Sequence, residues 1–226
     1  MKKLLNYFPL VLLLFSLIFN SCSDQREELE NEAALSYEKR EISHLNTKEN
    51  RVAILKAIPT IKEAYNADYD LANADFDRLI SEYEHCSECP SDYKKLMVPF
   101  LKDIVNTDDN QLLEIIKKYQ SSIKQYTSNF EVEQNLEFLF FSFQESVKFQ
   151  QSKSIYQKGA GKNIGRGMAW GFLAGCATGA YIGGTAGTVT VPIIGTVVGA
   201  VSGCIAGGAW GAVTGSAGGA FWSLFD

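Results

Sequence analysis

Cys86 and Cys89, in the stretch HCSEC beside His85, have the spacing of a metal clip, a redox dithiol or a short disulfide loop. A structural zinc site takes four sulfur or nitrogen ligands. The surrounding segment offers no second Cys or His pair, since His44 is the only other histidine. A redox motif of the thioredoxin kind calls for a strand–helix–strand setting, which the neighbouring residues do not provide. In an exported chain the expectation is a local disulfide between Cys86 and Cys89, in a loop before Pro90, and no metal. Cys176 and Cys204 form the second pair, readable either as a staple across a helical hairpin or as two small buried thiols. No nucleophile–base pair, paired catalytic carboxylates or phosphate loop stands out. The many glycines lack the strand–turn–helix setting of a dinucleotide fingerprint. Catalysis and cofactors are therefore not expected.

The segments that carry these cysteines differ sharply in composition. Residues 1–21 begin with a basic stretch, continue as an apolar run and lead into FNSC, the pattern of a bacterial lipoprotein signal peptide. Phe19 and Ser21 depart from the commonest lipobox, which has leucine and then alanine or glycine there. Cys22 is then the lipid-bearing amino terminus of the exported chain; the alternatives are an uncleaved anchor or a secretory peptide cut nearby. Residues 22–50 are strongly polar and read as a tether. Between Ser23 and Glu145 there are 25 acidic and 14 basic residues, whereas Ser146 to Phe225 holds five basic residues and no acidic one. Such an acidic body argues against a nucleic-acid partner, which requires a basic surface.

Residues 51–157 place apolar side chains three and four apart: Val52, Leu55, Ile58 and Ile61; Leu112, Leu113, Ile115, Ile116 and Tyr119; Leu136, Leu139, Phe140 and Phe143. This periodicity predicts an all-α body of about three to five helices. Breaks are expected at Pro59, CSECPSD, NTDDN and YTSNF. Residues 158–166 form a basic neck and 167–226 an apolar tail.

All 19 glycines follow residue 158. In the tail they recur at every fourth position, as Gly167, Gly171, Gly175, Gly179, Gly183 and Gly187 before Pro192 and as Gly195, Gly199, Gly203, Gly207, Gly211, Gly215 and Gly219 after it. Pro192 cannot continue a helix, so the tail reads as two helices joined near residue 190 in a hairpin. Reflection about Thr190 sets Cys176 opposite Cys204 and Trp170 opposite Trp210. A helix from Trp170 to Thr190 rises roughly 30 Å, the hydrocarbon thickness of a bilayer, and places both tryptophans at one interface beside Arg166 and Lys162. Each interior glycine costs about 1 kcal/mol relative to alanine, which makes these poor helices alone in water and suits them to lipid or to an assembly that imitates it. A four-residue repeat also drifts by about 40° per step, a winding that points to crossings among several helices, in a homo-oligomer or in a wrapped bundle.

The tail resembles the glycine-zipper segments of membrane-active two-peptide bacteriocins. It is also similar to the glycine-zipper lipoproteins of bacterial outer membranes, of the seventeen-kilodalton surface antigen kind. The order of lipoprotein signal, acidic helical body and glycine ladder most resembles the proteolytically activated lipoprotein toxins of gut Bacteroidales, the BcpT type. The likeness covers the first 22 residues and Gly167–Asp226; between them it is one of character only.

This resemblance implies a toxin precursor held as a lipoprotein at the outer membrane or cell surface and released extracellularly by an arginine-specific, clostripain-like protease. It further implies an envelope receptor on the target cell, such as the surface glycolipid lipopolysaccharide, and action on membrane lipid. The arginines are Arg26, Arg40, Arg51, Arg78 and Arg166. Arg78 falls in a helical pattern, Arg40 and Arg51 flank the turn-rich HLNTKEN and rank first as cleavage points, and a cut after Arg166 would release the tail alone. The rival reading is a structural outer-membrane glycine-zipper lipoprotein that supports envelope integrity. A third is an immunity or chaperone lipoprotein.

Overall fold

The computed structural model describes residues 45–60, 71, 74–87, 89, 91–152, 162–191 and 195–222. The signal peptide, Cys22, Arg26 and Arg40 lie outside the described residues.

Among the described residues, five helices come from the acidic segment. Helix α1 (Lys48–Ala57) starts at Thr47, whose side chain accepts from Asn50 N at 3.1 Å, and runs into a 3-10 turn, Ile58–Thr60, at Pro59. Helix α2 (Phe76–Glu84) is capped by Asp75, which accepts from Arg78 N at 3.0 Å. Helix α3 (Ser91–Asn106) continues through Pro99. Helix α4 (Leu112–Tyr126) buries Leu112, Ile116, Tyr119 and Ile123, one stripe at helical spacing. Helix α5 (Phe130–Ser152) begins where Asn129 Oδ1 accepts from Glu131 N at 2.9 Å. It buries residues around most of its circumference, including Leu136, Phe138, Leu139, Phe140, Phe143 and Val147, because helices cover it on several sides. The breaks between these helices fall at the four places where the sequence puts them.

The tail supplies α6 (Asn163–Thr185) and α7 (Gly199–Trp222). Between them is a feature the sequence reading did not foresee, a two-stranded antiparallel ribbon of β1 (Thr188–Val191) and β2 (Gly195–Val198), with Thr188 opposite Val198 and Val191 opposite Gly195. The β-branched residues of TVTV and TVV favour extended backbone over a tight helical turn. The fold is all-α, with this ribbon as the tip of the hairpin.

Body and hairpin share one core. Phe100 of α3 stacks on Phe143 of α5, centroids 5.4 Å apart, and meets Phe140 edge-on at 4.9 Å. Phe172 of α6 joins the same cluster, 6.1 Å from Phe143 and 5.5 Å from Tyr83 of α2, both edge-on. Met168, Leu173, Ile205 and Val213 are buried with them. A buried hydroxyl pair, Ser146 of α5 and Ser216 of α7, adds a polar tie.

Candidate functional site

The glycine ladder closes within one chain. Gly167, Gly171, Gly175, Gly179 and Gly183 of α6 face Gly215, Gly211, Gly207, Gly203 and Gly199 of α7. At each of these rungs a methyl added on the α6 side would fall inside 3.0 Å of the facing backbone carbonyl, so only glycine fits. Gly219 meets Asn163 and Ile164 in the same way at the far end. The rungs mirror about Val191, one residue from the centre relating the cysteines and tryptophans. The four-residue drift does not require several helices. Two helices that coil around each other, with the right-handed sense of a repeat longer than 3.6 residues, keep such a stripe in contact along its length.

Two of the thirteen glycines assigned to the ladder do other work. Gly187 has φ +75°, ends α6 in the left-handed region, and accepts from Gly199 N at 2.9 Å; Gly195 lies in β2. Gly199, with φ +85°, opens α7.

A disulfide joins Cys176 and Cys204 midway along the seam, with Cα atoms only 3.7 Å apart, a closeness the adjoining glycines permit. Of the two readings of this pair, the staple is the one in the structure. The expected Cys86–Cys89 disulfide is not. Their sulfurs lie 3.0 Å apart as thiols, and Cys89 Sγ is 3.8 Å from Cys176 Sγ and 3.9 Å from Cys204 Sγ. The second cysteine pair, missing from the body's sequence, thus arrives from the tail. Sequence separations of 87 and 115 residues left no local signal for this meeting. A cavity of about 240 Å³ opens beside it, lined by Leu79, Tyr83, Cys86, Cys89, Trp170 and Cys176 among others.

Trp170 and Trp210, the expected interface anchors, are half-buried and line one groove of about 320 Å³ on the open face of the hairpin, with Gly171, Gly207, Ile182 and Thr190. Tyr181 and Ile182 are exposed nearby. The 23 residues of α6 rise about 34 Å. Even so, among the described residues no helix is long and apolar enough to cross a membrane.

Asp109, at the break NTDDN, was legible only as a turn residue. It is fully buried and accepts from Ile164 N at 3.1 Å and Gly165 N at 3.2 Å, capping α6 from another part of the chain. Burial pushes its carboxyl up from 3.8 to about 6, against the backbone donors of Ile164 and Gly165, which favour the charged form. This side chain ties the first turn of the hairpin to the body, beside the Arg166 contact with Val105 O.

The candidate cleavage points divide. Arg51, read as bordering the tether, lies inside α1, where Nε donates to Asn46 Oδ1 at 2.7 Å and the guanidinium stands 4.7 Å over the Phe141 ring. Arg166 lies in the first turn of α6, with Nε 3.4 Å from Val105 O and the buried Gly167 following it. Arg78 lies in α2 and pairs with Glu82 at 3.7 Å. No protein-family model, curated protein or solved structure matches this chain.

Proposed function

We propose that the chain is an antibacterial toxin precursor. It is exported as a lipoprotein, held in check by its acidic helical body, released by cleavage after an arginine, and active on the envelope of competing related bacteria. The observation that carries this reading is how the hairpin is stored. Its seam is complete within the chain, so the two helices can move between environments with every rung in place. The faces they turn to the body, through Met168, Phe172, Leu173, Ile205 and Val213, are apolar and would be covered equally well by lipid. Small residues hold the hydropathy down, which suits a segment that begins folded against protein.

Arg51 and Arg166 sit in helical backbone, which a protease cleft cannot take up in extended form, so cleavage after Arg40, in the polar tether, is the favoured activating step. The activating protease is of the arginine-specific, clostripain-like class, and the target receptor is an envelope component such as lipopolysaccharide. The covalent bridge across the seam also favours a second reading, a permanent scaffold of the outer membrane.

The test is dye release from lipid vesicles and killing of related bacteria by protein lacking its signal, intact and after arginine-specific digestion, with product masses recorded. Activity confined to the cut form supports the precursor. If neither form harms vesicles or cells at micromolar concentration, the toxin reading fails and the scaffold remains.

A further inference from the structure

The four cysteines that follow Cys22 come from three elements and meet at one point. Cys86 and Cys89 lie in the connection between α2 and α3, Cys176 near the middle of α6 and Cys204 in the second turn of α7. Their sulfurs form a chain: Cys86 to Cys89 at 3.0 Å, Cys89 to the Cys176–Cys204 disulfide at 3.8 and 3.9 Å. We propose that Cys86 and Cys89 are a dithiol that exchanges with the hairpin disulfide, so that the staple of the glycine seam is opened and closed from the loop. This inference does not depend on whether the hairpin enters a membrane.

The exchange balances within the protein. Cys89 gives up its proton and its thiolate attacks one hairpin sulfur. The Cys176–Cys204 bond breaks as the mixed disulfide forms, and the displaced hairpin thiolate takes a proton. Cys86, deprotonated in turn, attacks Cys89 Sγ. A Cys86–Cys89 bond forms, and the second hairpin cysteine leaves as a thiolate and is protonated. Two hydrogens have moved from loop to hairpin and one disulfide has replaced another, with no outside oxidant or reductant. Cys89 Sγ now stands side-on, nearly equidistant from the two bonded sulfurs, so rotation about its Cα–Cβ bond precedes in-line attack.

Two further observations fit this chemistry. The Tyr83 hydroxyl is buried with no hydrogen-bond partner among the described residues, and it stands beside the loop cysteines as a donor to a thiolate formed there. Burial, and then negative charge on Cys89 and Cys86, hold that phenol well above its usual range, so it keeps its proton. The cavity beside Cys86 also gives an external thiol or dithiol protein access to the half-buried end of the sulfur chain.

The experiment is disulfide mapping of the full mature chain by mass spectrometry, after acid quench from glutathione buffers of graded redox poise. At intermediate poise the Cys86–Cys89 linkage is expected to appear as Cys176–Cys204 disappears. Cys86→Ser is expected to trap a mixed disulfide from Cys89 to Cys176 or Cys204, and Cys89→Ser to slow reduction of the hairpin bond by about tenfold or more. The wild-type mapping needs no substitution, and so decides the matter even where a serine at buried Cys89 prevents folding. Three results would overturn the proposal: a hairpin bond reduced at the same rate in Cys89→Ser, no Cys86–Cys89 linkage at any poise, or a reduced protein that takes up one cobalt(II) with thiolate-to-metal absorption and forms no mixed disulfide. The last would make the cluster a metal site.

Discussion

Alanine at Gly171 tests whether the ladder is a closed seam. The added methyl would lie 2.6 Å from the carbonyl carbon of Gly211 and 3.2 Å from Gly215 Cα, where ordinary contact begins near 3.4 Å. Both obstacles are backbone and cannot rotate aside, and the Gly211 carbonyl oxygen is nearer still, so the helices must part by more than about 0.8 Å at that rung, against the restraint of the nearby disulfide. Overpacking of this kind costs up to about 3 kcal/mol, and alanine returns about 1 kcal/mol of helix propensity, leaving a net loss of about 2 kcal/mol. In a chain of this size that lowers Tm by about 4–8 °C. Gly208→Ala is the comparison, because its methyl meets ring carbons of the buried Phe172 at 2.7 Å and no backbone that close, so its cost falls on core packing and not on the seam. Urea unfolding of the oxidised proteins, followed by circular dichroism, reads both. A Gly171→Ala protein as stable as the parent, or more stable by the helix gain, refutes the seam.

Asp109 makes hairpin docking depend on pH. Its folded value of about 6 exceeds the ordinary 3.8, so the native state binds the proton more tightly and stability from this group is present below 3.8 and lost as pH rises through 6. Relative to Asp109→Asn, the parent should gain about 2 kcal/mol between pH 6 and pH 4 in urea titrations; parallel curves would contradict this. Phe172→Ala removes the ring that joins Tyr83 and Phe143 across body and hairpin, and should cost about 3–5 kcal/mol in the same assay. Arginine-specific digestion of the folded protein should leave the bonds after Arg51 and Arg166 intact until denaturant is added, which intact mass measurement detects.

The helical body was readable because its signals are local. Leu112, Ile116, Tyr119 and Ile123 repeat at the period that buries one face, and each break contains residues that stop a helix or open a turn. The hairpin was readable for a different reason: symmetry. Cysteines and tryptophans mirrored about one residue imply two helices of equal reach. The ribbon at its tip is hidden in the sequence because Pro192 alone accounts for the interruption and four β-branched residues are too short a run to stand out as a strand. Asp109 escaped because a cap is normally sought next to its own helix, and this one lies 55 residues ahead of the amide it serves.

The deeper ambiguity concerns what covers the hairpin. Glycine at every fourth position says that two backbones meet, and an uncharged flank says that water does not cover the rest. Neither can distinguish lipid from protein. The residues that decide it, Phe100, Phe140 and Phe143, lie on α3 and α5, where each looks like an ordinary core aromatic of the body. Only the contact of Phe143 with Phe172 makes this cluster a cover for the tail. The same long-range closure brings Cys89 to the hairpin bond, so docking and sulfur chemistry are two consequences of one contact. A change that undocks Phe172 should therefore also slow exchange at Cys89, although the ring bears no sulfur and touches no step of that reaction.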